Sequence, residues 1–195
     1  MFESRFLDRF SRVHPAVPVL LFGPAIALLL VMSLRRLPAL EALAAAAGGY
    51  VFWTLVEYWM HRVVFHFEPE RGIGARLHWI IHGVHHDHPN DPRRLVMPPS
   101  VSVPVAGLFL LAFVLALGTS WALAVGAGFF AGYVAYDMTH FWLHHGRLPG
   151  RVGHLLHERH MRHHFQDHTR GFGVSAPYWD LVFGTAPDRR VPGDD

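Results

Sequence analysis

Four long apolar segments constrain how this chain can fold. They cover residues 18–34, 40–65, 101–117 and 121–143 of the 195-residue sequence. A helix needs roughly 17–25 residues to cross the hydrocarbon core of a membrane, so the second and fourth segments are long enough and the other two lie near the lower limit. Hydrophobic residues make up 51% of the chain and charged residues only 16%, a composition shifted towards membrane proteins. We therefore predict an all-α integral membrane protein with about four transmembrane helices.

The connections between the segments place most of the polar chain on one side of the membrane. Only residues 118–120 separate the third and fourth segments, which predicts a tight antiparallel hairpin, either two full spans or a short re-entrant pair. The N-terminus, the loop 66–100 and the tail 144–195 then share one face. Their arginines favour the cytoplasm for that face, while Arg35 and Arg36 lie on the other side and oppose it.

The first residues have an amphipathic pattern. Phe2, Phe6 and Phe10 recur every four residues with arginines between them, which is typical of a helix lying on a membrane surface. The mixed charges and the late apolar segment do not fit a secretory signal peptide. We expect residues 1–16 to form an amphipathic N-terminal segment and residues 17–195 to form a single membrane-embedded domain.

Ten of the 17 histidines fall into four clusters at the ends of apolar segments. They are His61 and His66; His82, His85 and His86; His140 and His144; and His160, His163 and His164. Imidazole is the commonest metal ligand, and ligands three and four residues apart share one face of a helix. In each three-histidine cluster, one pair can chelate one ion while the adjacent histidine reaches a neighbouring ion. Ten imidazoles are too many for one ion, so we predict a dimetal site.

One pair of predicted ligands has an unusual spacing, and three further residues could assist the metal site. His61 and His66 are five residues apart and converge only at a helix end or in a distorted helix. His78 lies one turn before His82 and is a candidate additional ligand. Asp137 and Glu57 each lie about one turn before a predicted ligand and are candidates for holding an imidazole tautomer through its other N–H. A buried ion pair with Arg62 is the alternative role for Glu57.

The donor set favours oxygen chemistry over hydrolysis. The chain has no cysteine, which excludes disulfides, iron–sulfur clusters and zinc–thiolate sites. It also lacks the HExxH motif of membrane zinc proteases, and a metal transporter would carry its ligands within the spans. Scattered arginines and a net charge of +2 do not suit nucleic-acid binding. A non-catalytic membrane protein that stores or senses metal is the alternative from another class.

Several motifs surround these histidines. They occupy residues 57–66, 77–86, 94–99, 136–140, 160–165, 171–175 and 179–180. With them the chain resembles the fatty acid hydroxylase superfamily, which includes the sterol desaturases, and it is most similar to the sphingolipid fatty acid 2-hydroxylases. The likeness covers about residues 50–185. The histidine pattern is superfamily-wide, whereas the motifs at 95–99 and 136–140 are more specific to the 2-hydroxylase branch.

The resemblance implies a dimetal centre on a cytosolic cap above four membrane helices, with all ten clustered histidines as ligands. It implies two iron ions, which zinc can replace in isolated protein, with O₂ as co-substrate and position C2 of a lipid acyl chain as the target. A sterol or carotenoid hydroxylase or desaturase of the same superfamily is the alternative. Eukaryotic relatives often carry a cytochrome b5 domain that this sequence lacks. We therefore expect a separate electron donor (cytochrome b5-like, a ferredoxin or a reductase) and a location in a bacterial inner membrane.

Aromatic side chains near the clusters are candidates for lining a path from the bilayer to the metals. They are Tyr136, Phe141, Trp142, Phe172, Tyr178 and Trp179. Plain packing in the core or at the membrane interface is the alternative role for each of them, because aromatic residues concentrate at membrane interfaces.

Overall fold

The computed structural model describes residues 12–67 and 83–187, together with residues 72 and 74. The predictions for residues 1–11, His78 and His82 therefore lie outside the described residues. All regular structure in the described part is helical. In chain order the helices are α1 (Ala16–Leu34), α2 (Ala39–Trp59), α3 (Val84–Asp87), α4 (Pro99–Leu117), α5 (Thr119–His145), α6 (Gly150–Phe165) and α7 (Tyr178–Val182).

Four of these helices are long enough to cross a membrane. Helix α1, helix α2 with its extension to Phe65, and helix α4 are also apolar enough to do so. Helix α5 has 27 residues, or roughly 40 Å at 1.5 Å per residue. It is less apolar because it carries glycines, tyrosines and histidines, and it can carry them because its neighbours cover much of its surface. The predicted all-α membrane fold is confirmed.

Helix α5 is the centre of the bundle, with α1, α2 and α4 packed around it. Its backbone meets that of α2 directly at two glycines. A Cβ atom on Gly128 would lie 1.7 Å from the Ala46 carbonyl oxygen, and one on Gly49 would lie 2.1 Å from that of Val125. Because no side chain fits at either point, glycine sets the closest approach of the two helices.

Short connections bring the functional helix ends together. Helix α4 begins directly after Pro98. A single residue, Gly118, separates α4 from α5, and its φ is 75°. The predicted hairpin is therefore present, and its helices of 19 and 27 residues are full-length rather than short. The chain reverses again between α1 and α2. The end of α2, the start of α4 and the end of α5 consequently lie at one end of the bundle, where α3 and α6 cap it.

Candidate metal centre

Nine described histidines gather at this end of the bundle in two groups. The five-histidine group contains His85, His140, His144, His160 and His164, and the four-histidine group contains His61, His66, His86 and His163. Within each group, one ring nitrogen from every member lies within 4.8 Å of the others. The tenth predicted ligand, His82, lies outside the described residues. The structure thus brings together every predicted ligand that it describes.

A distorted turn at the end of α2 brings the two most widely spaced histidines together. Helix α2 continues as a π-helix over Met60–Phe65, and the His66 N–H donates to the His61 carbonyl oxygen at 3.2 Å. This five-residue hydrogen bond defines a π-turn, and such turns are frequent at functional sites. The distortion that the spacing of these histidines requires is therefore present.

The clustered histidines on α3 and α6 divide between the groups. On α6, His160 and His164 join the five-histidine group, while His163 joins the four-histidine group. On α3, the neighbours His85 and His86 likewise separate. Helices α3 and α6 thus each contribute to both groups, as the spacing of three and four residues between the clustered histidines predicts.

The ring nitrogens are spaced as metal ligands would be. Nε2–Nε2 distances are 3.0 Å for His66–His163, 3.1 Å for His85–His164, 2.9 Å for His85–His140 and 2.8 Å for His144–His160. A metal–nitrogen bond of about 2.0–2.1 Å places neighbouring ligand nitrogens roughly 3 Å apart and opposite ones about 4 Å apart. Both groups therefore fit one ion each.

Burial keeps the cap imidazoles neutral. It lowers the pKa of His86 to about 3 and that of His163 to about 4, with the neighbouring histidines among the smaller causes. The pKa values of His85 and His160 are also well below their ordinary value, again because of burial. Neutral imidazole has the lone pair that a metal ligand needs, so these side chains are ready to bind metal at neutral pH.

Backbone carbonyls orient two members of the four-histidine group. His61 Nδ1 lies 2.8 Å from the Phe172 carbonyl oxygen, and His163 Nδ1 lies 2.7 Å from that of Arg170. A carbonyl oxygen only accepts hydrogen bonds, so both imidazoles carry their proton on Nδ1 and present the Nε2 lone pair to the group. Carbonyl groups have no signature in the sequence, and sequence analysis missed both.

The two candidate acids make contacts other than the predicted ones. Glu57 accepts hydrogen bonds from the backbone N–H and the hydroxyl of Ser175. Arg62, its alternative partner, donates instead to the Tyr58 hydroxyl at 3.0 Å. Asp137 is buried at 2% exposure and faces Tyr133. Glu57 thus ties α2 to the segment after α6, and no imidazole contact is recorded for either acid among the described residues.

An apolar cavity lies directly beneath the histidines, between α2 and α4. Both helices pack on α5, and they make few direct contacts with each other. The space is lined by Trp53, Val56, Glu57, Met60, Phe65, Met97, Ser102, Val105, Ala106, Phe109, Phe129, Phe130, Tyr133 and Tyr136. Glu57 and Tyr136 lie one turn before His61 and His140, so the upper end of the cavity is next to the metal ligands.

Only one of the six aromatic candidates lines this cavity. Tyr136 lines the cavity, whereas the other five aromatic candidates are absent from its walls. Phe172 packs against the rings of His61 and His163. Tyr178 and Trp179 bond through their polar atoms to the Thr54 hydroxyl, at 2.7 and 3.1 Å. The candidates on the tail therefore fasten the cap to α2, and the cavity is lined by aromatic residues from within the spans.

Comparisons with known proteins agree with this geometry. A family model described as fatty acid hydroxylase matches residues 46–185. The ceramide very long chain fatty acid hydroxylase of Saccharomyces cerevisiae is 37% identical over 185 residues, which are 93% of this chain and 48% of that protein. A dihydroceramide fatty acyl 2-hydroxylase of Arabidopsis thaliana is 35% identical over 95% of this chain and 79% of its own length.

A human relative and a solved structure extend the comparison. The fatty acid 2-hydroxylase of Homo sapiens is 41% identical over 70% of this chain and 38% of its own length. The chain thus spans about half the length, or less, of the yeast and human proteins. A solved structure of full-length scs7p, in which only the hydroxylase domain is visible, matches with a TM-score of 0.91. It is 36% identical, and the match covers 96% of this chain and 72% of that one.

Proposed function

This chain belongs to the fatty acid hydroxylase family, and from that premise we propose that it is a membrane enzyme that uses O₂ to hydroxylate a lipid acyl chain at C2. The overall reaction inserts one oxygen atom into a C–H bond and reduces the other to water, which consumes two electrons and two protons. The observation that carries the proposal is the apolar cavity that ends beneath two histidine groups, each suited to one metal ion.

Iron is the proposed metal at both groups, held by the nine described histidines together with His82. Imidazole suits iron, zinc and copper alike, but zinc has no redox chemistry, and a hydroxylation by O₂ needs a metal that changes oxidation state. When bound, the iron pair supplies the activation of oxygen, and the protein supplies orientation. Zinc can occupy the same imidazoles in isolated protein. The spacing of the ring nitrogens supports this assignment.

The cavity suits an acyl chain that is inserted with its tail towards the membrane interior. Its deeper wall is aromatic, with Phe129 in contact with both Trp53 and Phe109, and its upper end carries Glu57 and Tyr136. A chain in this orientation places the carbons next to its head group beneath the metals. That position supports C2 as the target, as the names of the Arabidopsis and human relatives do for those proteins.

The substrate is proposed to arrive from the bilayer and the electrons from the cap side. Helices α2 and α4 make few direct contacts and the cavity between them is apolar, which supports entry of a lipid from the bilayer without passage through water. We assign the cap to the cytoplasm of a bacterial inner membrane, where a separate cytochrome b5-like protein, ferredoxin or reductase delivers the two electrons. The arginines at that end support this orientation. A metal store would have no need of the apolar cavity.

The test is mass spectrometry of hydrolysed lipids from cells that express the protein together with an electron donor. The unaltered chain and His154→Ala, an exposed histidine outside the clusters, should both produce 2-hydroxy fatty acids. His163→Ala should produce none, because it removes one metal ligand. Equal product from His163→Ala would contradict the ligand assignment. No hydroxy acid from iron-loaded unaltered protein would contradict the reaction.

A second variant tests the cavity separately from the metals. Ala106 lines the cavity from α4 and is partly buried. Ala106→Phe fills part of the space, so we expect product to fall at least several-fold while the metal content stays at two ions per chain. Unchanged product would place the acyl chain elsewhere. Unsaturated products or hydroxylated sterols and carotenoids in place of 2-hydroxy acids would favour the sister reactions of the family.

A further inference from the structure

The loop between α6 and α7 contacts one histidine group selectively. The Arg170 and Phe172 carbonyls accept from His163 and His61, and both of these histidines belong to the four-histidine group. In the five-histidine group, by contrast, Nδ1 of His160 and Nδ1 of His164 have no hydrogen-bond partner among the described residues. The loop therefore orients two imidazoles of the four-histidine group, whereas it does not bond to Nδ1 of His160 or His164 in the five-histidine group.

A single buried carboxylate fixes the backbone of this loop. Asp180, in α7, has 0% of its surface exposed. Its Oδ1 accepts the Phe172 N–H at 2.9 Å, and its Oδ2 accepts the Gly173 N–H at 3.0 Å. Hydrogen bonds to a charged acceptor are about twice as strong as neutral ones. The peptide that carries the Arg170 carbonyl is held as well, because the Gly171 N–H donates to the Thr185 carbonyl at 2.9 Å.

The same carboxylate ends a chain of donors that starts on α2, beside His61. Arg62 donates to the Tyr58 hydroxyl at 3.0 Å, and the Thr185 hydroxyl donates to Asp180 Oδ1 at 2.8 Å. The Tyr58 and Thr185 hydroxyls lie 2.8 Å apart. Because the Thr185 hydroxyl donates its proton to Asp180, the Tyr58 hydroxyl must be the donor in its hydrogen bond with Thr185. All three bonds point the same way, from guanidinium to carboxylate, and each polarises the next.

We propose that Asp180 is a positioning residue for one of the two metal sites. It fixes the loop 171–173, and through the carbonyls of Phe172 and Arg170 it orients His61 and His163 towards the four-histidine group. It has no such effect on the five-histidine group. The inference deepens the proposed function and rests on its claim of two metal sites. Groups that orient metal-ligating histidines typically contribute 10–100-fold in metal affinity.

The experiment measures metal binding rather than turnover. The full-length chain is purified in detergent, stripped of metal, titrated with Zn²⁺ as a redox-silent probe and analysed for bound metal per chain. We expect two ions for the unaltered protein. For Asp180→Asn, which keeps the size of the side chain but turns an amide N–H₂ towards one backbone donor, we expect one ion to bind normally and the other about 10–100-fold more weakly.

Two double variants identify the weakened site. Asp180→Asn combined with His163→Ala should still bind one ion with unaltered affinity, as each single variant does, because both changes affect the four-histidine group. Asp180→Asn combined with His160→Ala should bind none tightly, because each site then carries one defect. The opposite pattern would overturn the assignment of Asp180 to the four-histidine group.

A control separates positioning from general support of the loop. Ser175→Ala removes a hydroxyl that bonds to Glu57 further along the same segment, and it should still bind two ions. If Asp180→Asn binds two ions with unaltered affinity, or loses both together with its helical circular dichroism, the proposal is wrong. Fewer than two ions on the unaltered protein would instead refute the dimetal premise of the proposed function.

Discussion

At the scale of single residues, burial sets the protonation of the cap histidines, and this predicts how stability depends on pH. The folded pKa values of His86 and His163 are about 3 and 4, against about 6.5 in an unfolded chain. Between pH 6.5 and about 4 the unfolded state therefore binds more protons, so stability falls as the pH falls. Each such group weakens the fold by up to about 1.4 kcal/mol per pH unit in this window.

The measurement is the thermal unfolding midpoint of metal-free protein in detergent, taken at intervals from pH 7.5 to 4.5. We expect a constant midpoint above pH 7 and a progressive fall below pH 6.5. His163→Gln removes one of the groups and should show a shallower fall. A midpoint that rises on acidification would mean that these imidazoles are charged in the folded protein.

Single residues also show where sequence reasoning ends. The spacing of His160, His163 and His164 predicts that the three divide between two ions, but only the structure places His163 apart from the other two. The spacing could not reveal that backbone carbonyls would orient His61 and His163, because any residue type supplies a carbonyl. The acids Glu57 and Asp137 looked suitable for that task from their spacing, but their side chains turn towards Ser175 and Tyr133.

At the scale of helices, the backbone contact between α2 and α5 should be sensitive to one methyl group. Gly49→Ala would place its Cβ against the Val125 carbonyl, so the helices must separate. Overpacking of this kind typically costs about 1–3 kcal/mol. Gly48 has nothing within 4 Å of its Cβ position, and Gly48→Ala is the matched control, expected to leave stability unchanged or slightly higher.

The comparison is made on unfolding midpoints in one detergent, with zinc binding as the second readout. Since His61 lies in the π-helical extension of α2 and His140 lies near the end of α5, we expect Gly49→Ala also to weaken metal binding. Equal midpoints for the two alanine variants would mean that the helices do not approach as closely as described.

Helix positions were largely predictable, whereas the residues that line the cavity were not. Apolar length predicts the spans, and the five-residue spacing of His61 and His66 requires the distortion that the π-turn supplies. The cavity arises because α2 and α4 both pack on α5 and make few direct contacts with each other. Its aromatic lining, such as Trp53 and Phe129, lies inside uniformly apolar segments, where nothing marks one side chain as facing a space rather than a lipid.

At the scale of the whole molecule, the two prospective ions connect the cap to different membrane helices. The four-histidine group joins α2 to α3 and α6, and the five-histidine group joins α5 to the same two cap helices. Direct packing between α5 and α6 is slight. Removal of the ions with a chelator should therefore loosen the cap while the membrane bundle stays intact.

Hydrogen exchange with and without a chelator tests this expectation. Amides in α3 and α6 should exchange faster, by about tenfold or more, after metal removal, since local opening is governed by the contacts that hold a segment. Amides in α1 and α4 should be unaffected. Equal acceleration in cap and bundle would mean that the metals support the whole fold, and no acceleration would mean that the cap is held by protein contacts alone.

The space between α2 and α4 has a consequence for kinetics. Under the proposed function, a substrate that enters between these helices is a solute of the membrane, so its encounter with the protein is governed by its mole fraction among the surrounding lipids rather than by its molarity in the suspension. Adding inert lipid at constant total substrate then slows the enzyme by surface dilution. Membrane composition becomes a variable of the rate law, and a cell can change the output of this protein by changing the lipids around it.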